Sequence, residues 1–102
     1  MAEIEFTAGP MSGRRLVLSA TQYTMGRKPG LDLTFEDESC SGKHAELRQE
    51  DGVWKILDLG SSNGTWLNEK KISTANLAQG DAVQLGETIF VYHADALTEV
   101  PP

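Results

Sequence analysis

Two short stretches carry most of the chemistry-bearing side chains. Glu38-Ser39-Cys40-Ser41-Gly42-Lys43-His44 places a thiol, two hydroxyls, an amine and an imidazole side by side. Asp58-Leu59-Gly60-Ser61-Ser62-Asn63-Gly64-Thr65 contains the pattern G-x-S-x-G over Gly60 to Gly64, and Asp81 and His93 follow it in the chain order of a hydrolase triad. The chemistry in question is nucleophilic: Ser62, or Cys40 or Ser41 beside His44. Each version lacks a part. The G-x-S-x-G elbow needs a strand before the serine and a helix after it, but Thr65-Trp66-Leu67 is β-prone and short. An activated cysteine or serine needs a base in reach and a third group to orient that base, and no such carboxylate or oxyanion donor set stands out near Cys40. Cys40 therefore reads as an ordinary thiol. His44 and His93 are the only histidines, without metal-ligand spacing. Asn63-Gly64 by itself is a hairpin turn signal.

Strands must position these residues. Short alternating runs broken by turn residues recur along the chain: Ile4–Thr7, Arg14–Ser19, Tyr23–Gly26, Leu31–Phe35, His44–Gln49, Val53–Leu57, Thr65–Asn68, Lys71-Ile72, Ala82–Leu85 and Glu87–Tyr92. Asp51-Gly52 between two of them is a strong hairpin signal. About ten strands with Gly-rich turns predict an all-β sandwich. The inward alternates, and so the expected core, are Ile4, Phe6, Leu16, Leu18, Leu33, Leu47, Trp54, Ile56, Leu67, Val83, Leu85, Ile89 and Val91. Trp54 and Trp66 both read as packing residues, and Glu36-Asp37-Glu38 reads as a solvated acidic loop. In such a fold function sits on loops that the sheets hold rigid. The polar loops are Gly26–Gly30, Glu36–Lys43 and Gly60–Gly64.

Composition narrows the function classes. The 102 residues are one domain's worth, with 39% hydrophobic and 24% charged residues. One cysteine excludes an internal disulfide and fits a reducing compartment, so a cytoplasmic location is expected. No apolar run is long enough to span a membrane, and the acidic start Met1-Ala2-Glu3-Ile4-Glu5 is no signal peptide. Nine Lys and Arg against fifteen Asp and Glu give a net charge of −6, the opposite of a nucleic-acid binder's basic face.

Taken together the loops are sharper than any one of them. Gly26-Arg27, then Ser41-x-x-His44, then Asp58-x-x-Ser61-Ser62-Asn63-Gly64-Thr65-x-x-Asn68, then Leu77-x-x-Gly80-Asp81-x-Val83-x-Leu85-Gly86 follow in order over nearly the whole chain. This series resembles the forkhead-associated (FHA) domain. The resemblance implies a SMAD/FHA-type β-sandwich of about eleven strands over residues 1–98, with 99–102 starting a tail. It implies that loops at one end bind phosphothreonine in an extended peptide, with no cofactor, no metal and no catalysis. Residue by residue, Arg27 matches the arginine that contacts the phosphate, Ser41 and Ser62 match hydroxyl residues that contact the phosphothreonine, and Asn63 matches the asparagine that bonds the peptide main chain. His44 matches the histidine that ties the loops together from beneath; Gly26, Gly64 and Asn68 match positions that shape turns. Gly42 departs from the pattern, because family members often carry Arg or Asn there. Its backbone N–H can still donate, and Lys28 and Lys43 are both at hand to replace the charge; the sequence does not choose between them.

The expected partner is a phosphothreonine-containing protein, such as a Ser/Thr kinase or its substrate, met in cis or in trans. The rival expectation is an FHA-fold structural or oligomerisation domain with weak or no phosphopeptide binding. Physical chemistry supports the first. A phosphothreonine carries about −1.5 to −2 charges near neutral pH and three acceptor oxygens. One guanidinium with several short neutral donors is what it needs, and Arg27, Ser41, Ser62 and Asn63 are such a set.

Overall fold

The computed structural model describes residues 1–94. The domain end expected at 98 and the tail over 99–102 lie outside the described residues. Eleven strands form two sheets: β1 (Glu3–Ala8), β2 (Arg15–Val17), β3 (Gln22–Gly26), β4 (Leu33–Thr34), β5 (Ala45–Glu50), β6 (Val53–Asp58), β7 (Thr65–Leu67), β8 (Lys70–Ile72), β9 (Thr74–Asn76), β10 (Ala82–Leu85) and β11 (Thr88–His93). One sheet has the order β2-β1-β11-β10-β7-β8 and the other β4-β3-β5-β6-β9. Among the described residues only β3 and β4 pair in parallel. The chain changes sheets between β6 and β7, so the loop between them bridges the two layers at the same end as the β3–β4 and β4–β5 loops.

The Asp51-Gly52 signal does make the β5–β6 turn, with φ of 51° at Asp51. A second tight turn, Asn68-Glu69, joins β7 to β8 with positive φ at both residues. Asn68 tolerates this because its amide is fixed on both sides: Nδ2 donates to Asp81 and Oδ1 accepts the N–H of Ala82. The strand Thr74–Asn76 was not expected; it is three residues long, two of them polar, and sits at a sheet edge.

The core lies between the sheets. Ile4, Phe6, Leu47, Ile56, Val83 and Leu85 are buried as expected, with Leu18 and Trp54. Phe6 meets Phe35 and Phe90 edge-on, at centroid separations of 5.7 and 5.8 Å, the geometry favoured by aromatic quadrupoles. Leu16, Leu33 and Leu67 only pack against the periphery of this core. The expected face of β11 is wrong by one residue. Phe90 and Tyr92 point inward with Thr88, while Ile89 and Val91 are half-exposed. The Gly86-Glu87 turn is the reason: it pairs Leu85 with Thr88, so Thr88 shares the inward face of Leu85, and every second residue after it follows.

Candidate functional site

The end of β3 and the 41–44 segment are held at backbone distance. Arg27 N–H donates to Ser41 C=O at 3.0 Å, Lys28 N–H to Gly42 C=O at 2.9 Å, and His44 N–H to Met25 C=O at 2.9 Å. This explains why residue 26 is glycine. A Cβ there would sit 2.4 Å from the Gly42 carbonyl oxygen and 2.9 Å from both His44 N and Ser41 O. Only a residue without a side chain allows the approach, which brings the Arg27 loop alongside Ser41.

His44 is fully buried and sits beneath the loops. Its Nδ1 accepts the N–H of Ser41 at 3.0 Å and its Nε2 faces the carbonyl of Gly64 at 2.9 Å. A nitrogen that accepts cannot carry a proton, and one that faces a carbonyl must, so the ring is the neutral Nε2–H tautomer. One side chain thus fixes two loops 20 residues apart in sequence.

Above that ring the loops are stitched directly. Ser41 Oγ accepts the N–H of Ser62 at 2.9 Å, which leaves the Ser41 hydroxyl proton to donate outward. Asn63 Nδ2 donates to Ser39 C=O at 2.9 Å, so its Oδ1 remains as an acceptor at the exposed rim. Asn68 is set apart from this cluster, at the β7–β8 turn. The structure therefore gathers Arg27, Ser41, Gly42, Ser62 and Asn63 around one exposed surface. Arg27, Lys28 and Lys43 stand exposed beside it, and His44 and Gly26 lie beneath.

Three supporting residues have roles that the sequence reading did not assign. Asp58 accepts from Gly60 N–H, Ser61 N–H, the Ser61 hydroxyl and the Thr65 hydroxyl. Partial burial pushes its carboxyl up, but these donors outweigh burial and hold it below the usual carboxylate range. Asp37 is not part of a solvated loop: it is 3% exposed and accepts from Ser39 N–H, Glu87 N–H and the Thr88 hydroxyl. The same contest, burial raising and hydrogen bonds lowering, leaves its carboxyl depressed. Asp37 thereby ties the β4–β5 loop to the β10–β11 turn. Trp66, read as a packing residue, is only partly buried. It stands half-exposed on the outer face of β7, and its indole N–H donates to Asn63 C=O at 3.2 Å. Asp58 was legible as part of the motif, and the other two had no sequence signal beyond residue type.

The nucleophile readings find no support in this geometry. Residues 59–64 lead into β7, not a helix. Asp81 is committed to Asn68 and to Ala78 N–H, and His93 to Glu5 and Gln79. Cys40 is buried, its thiol donating to Leu85 C=O. Burial first, and the nearby Asp37 charge second, push that thiol up to about 12, the opposite of an activated cysteine.

A sandwich of this topology with conjoined loops at one end defines a class of binding modules, and comparison with known proteins names it. The profile of the FHA domain matches residues 23–86, so this chain belongs to the FHA domain family. Among curated proteins it is similar to the glycogen accumulation regulator GarA of Mycolicibacterium smegmatis, 39% identical over 84 residues, 82% of this chain and 53% of that protein. It is also similar to the oxoglutarate dehydrogenase inhibitor of Corynebacterium diphtheriae, 38% identical over 84 residues, 82% of this chain and 59% of that protein. The chain thus spans little more than half the length of these relatives. Among solved structures, the FHA domain of an Arabidopsis thaliana hypothetical protein superposes with a TM-score of 0.84 at 34% identity, covering 90% of this chain and 83% of that one. A structure from a study of phosphothreonine-dependent FHA domain interactions superposes with a TM-score of 0.82 at 27% identity, covering 94% of this chain and 98% of that one.

Proposed function

We propose that this chain is a non-catalytic module that binds phosphothreonine-containing protein segments in Ser/Thr kinase signalling. One observation carries the reading. In a molecule of net charge −6, hydrogen bonds between the loops bring two hydroxyls and an amide to one exposed surface, beside an arginine that makes no ion pair among the described residues and whose backbone is fixed on Ser41. Arg27 supplies the charge, the hydroxyls of Ser41 and Ser62 and the Gly42 backbone N–H supply short donors, and Asn63 Oδ1 accepts a main-chain N–H of the peptide. Among the described residues no group of three or more His, Cys, Asp or Glu could hold a metal, and no helix is long and apolar enough to cross a membrane.

Charge-assisted hydrogen bonds are worth about 1.5–3 kcal/mol each. Three or four of them, less the cost of ordering the peptide, come to about −8 kcal/mol, or micromolar affinity. That is the strength of a reversible signalling contact. The net negative field opposes a phosphopeptide but is screened within about 8 Å at physiological salt, so the local donors decide. Methyl packing adds a preference for phosphothreonine over phosphoserine.

The test is a calorimetric titration with degenerate phosphothreonine, phosphoserine and unphosphorylated peptide pools, on wild type and Arg27→Ala. Micromolar heat with the phosphothreonine pool alone, lost in Arg27→Ala, is expected. A folded wild-type protein that binds none of the pools contradicts the proposal and moves the weight to a structural or oligomerisation role.

A further inference from the structure

Gly42 opens a gap in the rim of the site, and the structure shows what borders it. Its φ lies outside the left-handed region, so nothing in its backbone demands glycine. Apart from its two neighbours in the chain, the only heavy atom of the described residues within 4 Å of a Cβ built there is Lys28 Cβ, at 3.9 Å. Cross-strand neighbours that share a face stand about 4.5–5.5 Å apart at Cβ. The Lys28 side chain therefore starts in van der Waals contact with the place where a residue-42 side chain would start.

The Lys28 backbone is fixed there by its N–H bond to Gly42 C=O, as Arg27 is fixed on Ser41 C=O. Its side chain is exposed and, among the described residues, makes no ion pair, whereas Arg15, Arg48 and Lys55 are each spent on a carboxylate. No hydrogen bond among the described residues ties the backbone of Lys43 to the β3–β4 loop. Two successive cationic residues on one loop are thus anchored by their backbones on two successive carbonyls, those of Ser41 and Gly42.

We infer that Lys28, not Lys43, is the second cation on the phosphate, reaching it through the gap that Gly42 leaves. The inference rests on the phosphothreonine reading above and deepens it. The ammonium is a point charge on a flexible stem, so it follows the phosphate group and adds charge-assisted hydrogen bonding without demanding one peptide geometry. Gly42 is then an enabling residue: a bulky side chain there competes with Lys28 for the same space.

The probe is a phosphothreonine peptide taken from the pool that wild type retains, titrated by fluorescence anisotropy against wild type, K28A, K43A, G42R, K28A/G42R and R27A. Truncating Lys28 leaves its backbone bond in place, and melting curves check that each variant is folded. K28A is expected to weaken binding about tenfold, the value of one charge-assisted bond, and K43A less than about threefold, as a screened field effect. In the G42R background the Lys28 truncation should cost much less, because the arginine occupies the shared volume and the two effects are coupled. Three results overturn the inference while R27A still abolishes binding. They are K28A within about threefold of wild type, equal losses in K28A and K43A, and a K28A loss undiminished by G42R. Wild type that binds no peptide removes the phosphothreonine reading and the inference together.

Discussion

Replacing Gly26 with alanine adds one methyl group at the tightest joint of the site. That methyl would lie 2.4 Å from the Gly42 carbonyl oxygen and 2.9 Å from His44 N and Ser41 O, all backbone atoms that cannot swing aside. Restoring ordinary contact requires the 41–44 segment to move by about 1 Å. Three backbone bonds cross that gap: Arg27 to Ser41, Lys28 to Gly42 and His44 to Met25. A shift of that size breaks or stretches all of them. At about 0.5–1.5 kcal/mol net for each, the expected destabilisation is about 2–4 kcal/mol, a large share of a small domain's stability. Gly42→Ala is the matched control, since among the described residues the same methyl there meets nothing closer than 3.9 Å outside its own chain neighbours; it should stay within about 0.5 kcal/mol of wild type. Urea unfolding of the three proteins, read at constant m-value, measures the difference. Gly26→Ala should also lose phosphopeptide binding under conditions where it is folded, because the displaced segment carries Ser41. A Gly26→Ala protein as stable as Gly42→Ala would refute the close-approach argument.

Asp37 and Asp58 both have depressed carboxyl pKa values in the folded state. As the pH falls the unfolded chain takes up these protons first, so their stabilisation is complete above about pH 4 and fades as pH drops through the folded values; an acid titration of stability should flatten in Asp37→Asn and in Asp58→Asn. Asp58→Asn should in addition weaken phosphopeptide binding, because Gly60, Ser61 and Thr65 lose the acceptor that shapes the loop bearing Ser62. With its thiol buried and pushed up to about 12, Cys40 should resist an aromatic disulfide reagent at neutral pH in the native protein and react promptly in denaturant. Rapid labelling of the native protein would contradict the packing of Cys40 against Leu85.

The loop cluster was legible because its parts are punctuated: Gly26, the Ser41–His44 spacing and the Asp58–Asn68 run each mark a place where the backbone or a short side chain has one job. The sandwich followed from alternation, and on β5 and β6 alternation also gave the buried face correctly. It failed on β11, where Ile89, Phe90, Val91 and Tyr92 are all apolar and carry no alternation; there the turn at Gly86-Glu87 sets the face through register, which is a pairing property. Asp37 was hidden for a related reason. Its flanks, Glu36 and Glu38, are exposed, and nothing local says that the middle acid turns inward to meet Glu87 and Thr88 some fifty residues away. Trp66, read as a packing residue, is only partly buried, and nothing local showed that its indole N–H is used on Asn63 C=O.

The measurement closest to the central claim is an NMR amide-shift map of the labelled domain titrated with a phosphothreonine peptide and its unphosphorylated twin. The account predicts phosphate-dependent shifts concentrated at Gly26–Lys28, Ser39–His44 and Ser61–Gly64, with the Asn68 turn and the outer sheet faces unmoved. Saturable shifts that instead map to a sheet face, or that the unphosphorylated twin reproduces, would contradict it.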